Sequence, residues 1–143
     1  GARERSRRLA ERLLSLDDQD SLGLQELVLD QLLREGRNRE ALAVSENRRE
    51  DAPVLGLLMG RALALFRLER IDEANETLRE VRRHNPHALT MLCAEQTRPV
   101  PSGPDSVAEP GTRAEAWQYR TLMRDQWRTT PGALAWLQEQ IDA

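Results

Sequence analysis

The sequence predicts an all-α fold made of antiparallel helix-turn-helix repeats, and three observations lead to this expectation. The pairs Ala41 and Ala74, and Pro53 and Pro86, each recur at a spacing of about 33 residues, close to the ~34-residue period of helical repeat arrays. Hydrophobic residues make up 39% of the chain but aromatic residues only 3%, so leucine and alanine must form most of the core. No alternating apolar and polar stretch is long enough for a convincing strand. A chain of 143 residues is expected to form one domain.

The first hairpin is predicted to begin at Asp20 or Ser21, either of which is a good N-cap, and to end near Asn47. Its first helix should end at Gly36, because glycine is favoured just beyond a helix C-terminus. Asn38 is the expected N-cap of the second helix. Two adjacent apolar stripes on the first helix predict a broad buried face. One stripe is Leu24, Val28 and Leu32, and the other is Leu29 and Leu33.

The second hairpin is predicted to repeat this order. Pro53 suits the first turn of a helix that should run to about Glu69. Asp72 is the expected N-cap of the helix that follows, and Asn85-Pro86 should cap and open a third unit. Small residues after Pro53 predict a surface that another helix approaches closely. They are Gly56, Gly60, Ala62 and Ala64.

Over roughly residues 20 to 90, these segments resemble the tetratricopeptide repeat family. In the first unit, residues 36–41 and the later Pro53 are similar to the turn, second-helix alanine and terminal proline of that family. In the second unit the similar positions are Gly60, Asp72, Glu73, Ala74, Leu78, Asn85 and Pro86. The chain departs from the pattern at Leu29, where the family has a small residue, and by two extra residues between Gly60 and Ala74. Residues 3–18 look like the second helix of a preceding, truncated repeat.

Residues 95–111 contain four of the seven prolines and are predicted to be a linker or strap. Thr112 and Glu115 then have capping-box spacing ahead of a helix, and Thr130-Pro131 should begin another. The first of these helices has the stripe Ala116, Tyr119, Met123 and Trp127, and the second has Leu134, Leu137 and Ile141, with Trp136 beside them.

All three tryptophans lie after the linker, so the C-terminal helices are expected to cover the open end of the repeats. Residues 129–137 are similar to the close of certain bacterial tetratricopeptide-like proteins with no assigned activity. The expected organisation is therefore helical repeats over residues 1–94, with the first repeat truncated, a linker over 95–111 and a helical pair over 112–143.

Composition argues against several classes of function. The formal net charge of −3 lacks the basic balance that broad phosphate binding requires. The most apolar stretch, residues 54–68, contains Arg61 and Arg67 and is shorter than the roughly 20 residues of a membrane-spanning helix. The single cysteine, Cys93, excludes an intrachain disulfide and fits a reducing compartment, so we expect a cytoplasmic protein without a membrane partner.

The motifs of catalysis and metal binding are missing from the sequence. His84 and His87 are separated by Asn85-Pro86 and so do not share one helix, which favours a turn over a metal site. Cys93 lies in a short apolar segment and is interpreted as a small core residue. Because no phosphate loop, zinc motif or nucleophile elbow occurs, we predict no enzyme activity, no catalytic residue, no metal site and no cofactor.

The preferred hypothesis is a protein-interaction scaffold that binds a protein or peptide partner. The resemblance implies a groove lined by the polar stripe of each first helix, and the candidate residues are Glu26, Asp30, Arg34 and Arg61. A lone arginine in an apolar helix needs a partner, so Arg61 is expected to pair with Asp30 or with a carboxylate of the ligand. The first three residues are equally consistent with a solvated helix face, because they have simple i,i+4 spacing.

Three alternatives stay open. The chain could be an accessory or regulatory domain of a larger enzyme, or it could self-associate through the tryptophan helices. The third alternative is nucleic-acid binding through arginine clusters, which the acidic net charge and the lack of nearby aromatic residues disfavour. Those clusters are Arg3, Arg5, Arg7, Arg8 and Arg12, and Arg79, Arg82 and Arg83.

Overall fold

The computed structural model describes residues 18–46, 54–95 and 109–142, with side chains described from residue 24 onwards, and every regular element in these ranges is a helix. The all-α prediction is confirmed for this part of the chain. The seven helices are α1 (Asp18–Arg34), α2 (Asn38–Glu46), α3 (Leu55–Arg67), α4 (Ile71–His84), α5 (Ala88–Cys93), α6 (Arg113–Thr129) and α7 (Ala133–Asp142). The predicted helix over residues 3–18, the role of Pro53 and most of the predicted linker over 95–111 lie outside the described residues.

The turns of the two hairpins have the same geometry. Gly36 has a φ of 74°, so the predicted helix end at this glycine is confirmed, and Arg37 N–H donates to Leu32 O at 2.9 Å in a Schellman arrangement. Glu69 has a φ of 63° in the corresponding turn, and Arg70 N–H donates to Leu65 O at 2.9 Å. A glutamate in this left-handed region costs about 1 kcal/mol, so the second turn is the more strained of the two.

The predicted N-caps of the second helices are wrong in both hairpins. Ala41 N–H donates to Arg37 O and Ala74 N–H donates to Arg70 O, so arginines occupy the N-cap positions. The expected caps, Asn38 and Asp72, are the first and second residues of their helices. Each arginine pairs with the glutamate three residues later, as Arg37 with Glu40 and Arg70 with Glu73. These ion pairs lie at the helix N-termini, where a side-chain cap from Asn38 or Asp72 was expected.

The third unit also begins later than predicted. Helix α5 starts at Ala88, two residues after Pro86, and His87 is its N-cap residue. The buried Asn85 still shapes the turn, because its Oδ1 atom accepts a hydrogen bond from His87 N–H at 2.9 Å. The Asn85 amide donates in the other direction, to Thr112 O at 2.9 Å, and so joins this turn to the start of α6.

All seven helices contribute to one core, which consists mostly of leucine and alanine as the composition predicted. Helices α1 and α3 pack closely where Gly60 faces Leu29. A Cβ atom on Gly60 would lie 2.4 Å from Leu29 Cδ2, well inside van der Waals contact. The prediction that the small residues of this helix allow a close approach is therefore confirmed at Gly60. The large residue at Leu29, which departs from the family pattern, is accommodated because its neighbour has no side chain.

The capping prediction for α6 is confirmed with one difference. Thr112 Oγ1 accepts a hydrogen bond from Glu115 N–H at 3.2 Å, as the sequence spacing implies. The Glu115 carboxylate accepts from Gly111 N–H at 3.0 Å rather than from the backbone of Thr112. The predicted stripe forms the buried face of α6, which packs on α1, α3 and α5. Helix α6 therefore contacts the first helix of each hairpin.

Stacked aromatic rings attach the C-terminal helices to the hairpins. The Trp136 ring lies 4.7 Å from the Phe66 ring and 6.3 Å from the Trp127 ring, measured between centroids. The indole N–H groups are satisfied, because Trp136 donates to Asn75 Oδ1 and Trp127 donates to the Tyr119 hydroxyl. On α7 the buried residues are Ala133, Trp136 and Leu137, while Leu134 and Ile141 pack at the edge of this face.

Candidate functional site

A cleft of about 530 Å³ separates α1 from α6 and reaches the first turn of α3. We call it the α1–α6 cleft. Its lining is mostly apolar, with three carboxylates among the remaining residues. The lining residues are Glu26, Leu27, Leu29, Asp30, Leu33, Val54, Leu55, Gly56, Pro110, Glu115, Gln118, Tyr119, Leu122 and Met123.

Two exposed leucines edge the cleft. Leu27 on α1 is 62% exposed and Leu122 on α6 is 70% exposed. Ile71, at 38%, is the only other exposed large apolar side chain among the described residues. Exposed apolar side chains that share one concave surface are typical of interaction sites, whereas scattered ones need no explanation. The α1–α6 cleft is therefore the strongest candidate site.

The two helices of the cleft run in the same direction and approach each other at their C-terminal ends. Arg34 Nη2 on α1 donates to Leu122 O on α6 at 3.2 Å. One turn further along α6, Arg67 of α3 reaches Leu33 O at 2.8 Å and the backbone oxygen of Gln126 at 3.5 Å. These bonds hold the C-terminal ends together, and the cleft opens towards the N-terminal ends.

Arg67 forms the junction at this closed end. Its guanidinium also donates to Thr130 Oγ1 at 3.0 Å and to Asn38 Oδ1 at 3.2 Å. Helices α1, α3 and α6 all end near this cation, so their C-terminal dipoles favour its charge. Burial lowers the pKa of Arg67, but at neutral pH an arginine still keeps its proton.

The open end of the cleft carries two neighbouring carboxylates. The Glu26 side chain lies over Gly56, where a Cβ atom would come within 2.6 Å of Glu26 Oε1. Burial raises the pKa of Glu26, and the negative charge of Glu115 raises it further. Among the described residues, Glu26 has neither a hydrogen bond nor an ion pair. A partly desolvated carboxylate next to a like charge is an unfavourable arrangement for the isolated protein.

Glu115, by contrast, is held in place by several donors. It accepts from Asn85 Nδ2 at 2.8 Å and from Gly111 N–H at 3.0 Å, and His84 Nε2 lies 3.3 Å from it. These contacts fix the Glu115 carboxylate at the start of α6. The Glu115 carboxylate is therefore held near the carboxylate of Glu26.

The structure brings together three of the four residues predicted for a groove. Glu26 and Asp30 line the cleft. Arg34 braces it, because its Nε atom donates to Asp30 Oδ1 at 2.8 Å while its Nη2 atom binds the backbone of Leu122. Two of the three side chains therefore line the cleft, and the third bridges its two helices.

Arg61 lies apart from the other three residues. It pairs with Glu46 of α2 at 3.3 Å, so the expected pairing with Asp30 is wrong. Its Nε atom is buried and has no hydrogen-bond partner in the part of the chain that the structure describes. The side of α3 on which Arg61 lies faces α2, which sequence spacing alone did not reveal.

Sequence reasoning missed four residues that shape the site. Leu27 and Leu122 are single leucines on otherwise polar helix faces, and this isolation is the signal that could have identified them. Arg67 could have been found by the argument applied to Arg61, since both are arginines in an apolar helix. Glu115 was interpreted only as a capping residue.

A second hollow, of about 710 Å³, lies beside the turn between α3 and α4. It is lined by Asn38, Phe66, Arg67, Glu69, Ile71, Thr129, Thr130 and Pro131. Only one of its side chains, Ile71, is a large apolar group of the exposed class, and the hydrogen-bonding groups of Arg67 are already satisfied within the protein. It makes a weaker candidate and a useful control surface.

The described ranges contain no cluster of three or more His, Cys, Asp or Glu side chains with the geometry of a metal site. Burial raises the pKa of the Cys93 thiol, which is the opposite of what an activated nucleophile needs. The Cys93 thiol donates to Leu134 O, consistent with packing against α7. Within the same ranges, no helix combines the length and apolar character needed to cross a membrane.

The fold and the site together define an all-helical protein with an apolar cleft edged by carboxylates. Comparison of the chain with protein-family models, with curated proteins and with solved structures finds no match.

Proposed function

We propose that this protein is a non-catalytic interaction module that binds a peptide segment of a partner protein in the α1–α6 cleft. The observation that carries the proposal is the pair of exposed leucines, Leu27 and Leu122, on opposite sides of one concave apolar surface. Such a surface buries anchor side chains of a ligand and gains free energy from their desolvation. The size of the cleft suits a few anchor residues of a short helical segment, as in helix-in-groove recognition.

The recurrent turns support a tetratricopeptide-like repeat as the scaffold for this site. Gly36 and Glu69 occupy equivalent turn positions, and Arg37 and Arg70 follow them with equivalent ion pairs. In this proposal α1–α2 and α3–α4 are two repeats of a divergent bacterial member of the family. The cytoplasm is the proposed location.

Docking through the cleft would equally serve an accessory domain of a larger enzyme, so this alternative shares the same binding surface. The nucleic-acid alternative has less support. Its first arginine cluster lies outside the described residues, and in the second cluster Arg82 donates to Gln140 O at the end of α7.

The test is selection of binders from a library of helical peptides on the immobilised full chain. Affinities of the selected peptides are then measured by fluorescence anisotropy on the wild type, Leu122→Gln and Ile71→Gln. Both substitutions replace one exposed apolar side chain by the same neutral polar one. We expect Leu122→Gln to weaken binding about tenfold, as the loss of one anchor contact of ~1.4 kcal/mol implies, and Ile71→Gln to leave it unchanged.

Weaker binding to Ile71→Gln, with unchanged binding to Leu122→Gln, would contradict the proposal. Peptides that bind both variants as well as they bind the wild type would not use the cleft. Because both positions are exposed, circular dichroism of the two variants should show unchanged helicity.

A further inference from the structure

The charges at the open end of the cleft are unbalanced. Asp30 is paired with Arg34, and Glu115 is held by the amide and backbone donors of Asn85 and Gly111, with His84 Nε2 3.3 Å away. Glu26 stands between them without a cation in the described part of the chain. Glu26 therefore contributes a negative charge at the open end of the cleft that no cation of the described residues balances.

Apolar surface lies directly beside this charge. Leu27 follows Glu26 on α1, and Leu122 lines the same cleft from α6. A ligand that enters the cleft therefore meets a carboxylate and a leucine within one helical turn. A helix that carries a cation and an apolar side chain at i,i+3 or i,i+4 spacing presents both on one face and can match both groups.

We infer that the segment recognised by the cleft is a basic amphipathic helix. It places a lysine or arginine beside Glu26 and Glu115 and apolar side chains against Leu27 and Leu122. This inference rests on the proposed function and adds the chemical class of the partner. The aliphatic stem of the cation packs along the apolar wall while its charged end reaches the carboxylates.

Other ligand chemistries fit less well. An anionic partner, such as a phosphopeptide or nucleic acid, would meet two carboxylates of the same sign. A wholly apolar helix would cover Glu26 and leave its charge desolvated without a partner. A bare metal ion would need a set of ligands that these side chains do not form.

The same peptide library tests the inference on the full chain. The selected pool is sequenced, and the frequency of Lys and Arg next to apolar anchors is compared with that of the starting library. Selection is repeated on Glu26→Gln and on Glu76→Gln, an identical change at an exposed position on α4. We expect basic residues to be enriched on the wild type and on Glu76→Gln, and to lose most of that enrichment on Glu26→Gln.

A matched pair of peptides gives the quantitative form of the test. One selected peptide is compared with its analogue in which the basic residue is replaced by glutamine. On the wild type the basic peptide should bind about tenfold more tightly, and on Glu26→Gln this ratio should approach one. Added salt should reduce the ratio on the wild type, because solvent-accessible charge pairs are screened.

The outcomes distinguish a failure of this inference from a failure of the proposed function. A pool that depends on Leu122 but shows no basic enrichment overturns this inference and leaves the proposed function intact. Enrichment of acidic residues, or an unchanged preference on Glu26→Gln, also overturns it. If the selected peptides bind Leu122→Gln as tightly as the wild type, the proposed function is wrong, and this inference is wrong with it.

Discussion

The two ends of the α1–α6 cleft differ in how well the protein compensates a charged side chain. At the closed end, oxygen atoms from four residues surround the Arg67 guanidinium, and three helix C-termini favour its charge. At the open end, Glu26 has no partner in the described part of the chain and lies near the like charge of Glu115. The contrast indicates that the closed end serves stability, while the open end is where the proposed ligand would supply the complement of Glu26.

Replacing the central cation of the closed end should have the largest effect. Arg67→Met keeps a long apolar side chain but removes the guanidinium that donates to Leu33 O, Asn38 Oδ1 and Gln126 Oε1. We expect a loss of about 3 kcal/mol in the free energy of unfolding, because a partly buried network of hydrogen bonds loses its common charged donor. Urea unfolding followed by circular dichroism measures it.

Arg82→Met is the matched control. Arg82 is exposed and makes one hydrogen bond to Gln140 O at 2.9 Å, so its replacement should cost less than about 1 kcal/mol. Equal losses for the two variants would show that the junction at Arg67 has no special role.

Gly56 and Gly60 of α3 both lie against α1, and alanine substitutions at the two positions compare these two contacts. Gly60→Ala should destabilise the protein by about 1–3 kcal/mol, because the new methyl group would collide with the buried Leu29 side chain. Gly56→Ala meets only the flexible end of Glu26, which can move, and alanine favours the helix by up to ~1 kcal/mol. It should therefore be neutral or slightly stabilising. Thermal unfolding of both variants decides the order, and a larger loss for Gly56→Ala would contradict the contrast.

The smallest effect is expected at the open end. Glu26→Gln removes the repulsion from Glu115 and should stabilise the free protein by about 0.5 kcal/mol at neutral pH, the size expected for one exposed like-charge contact. Because folding raises the pKa of Glu26, ionisation of this group destabilises the native state as the pH rises through that pKa. The advantage of Glu26→Gln should therefore vanish near pH 4, where the wild-type carboxyl is largely protonated in both states.

Unfolding in urea across this pH range tests the sign. A variant that is less stable than the wild type at neutral pH would mean that Glu26 has a stabilising partner. Such a result would weaken the contrast between the two ends of the cleft.

Features that depend on local chemistry could be predicted from the sequence. The Gly36 turn, the Thr112 cap and the buried stripe of α6 depend on a few neighbouring residues, and all three are confirmed. The position of the turn near Glu69 was predicted but its geometry was not, because the left-handed conformation is unusual for a glutamate. The cap at Asp72 was wrong because Arg70 takes the N-cap position and pairs with the first helical turn.

The candidate site could be predicted only in part. Glu26 and Asp30 were found because the polar face of α1 is visible in the sequence. Leu122 and Glu115 belong to α6, and nothing in the local pattern states that this helix packs on α1. Arg61 was assigned to the wrong surface because its neighbour Glu46 comes from the orientation of α2 against α3.

The packing of α6 on α1 has a consequence for the order of folding. Helical hairpins close over short stretches of chain, whereas the contact between Arg34 and Leu122 joins residues 88 positions apart. Contacts of such long range form late, since their loop-closure entropy is compensated only after local structure exists. We therefore expect the α1–α6 cleft to assemble late in folding, and a nascent chain can form it only after synthesis has passed residue 129.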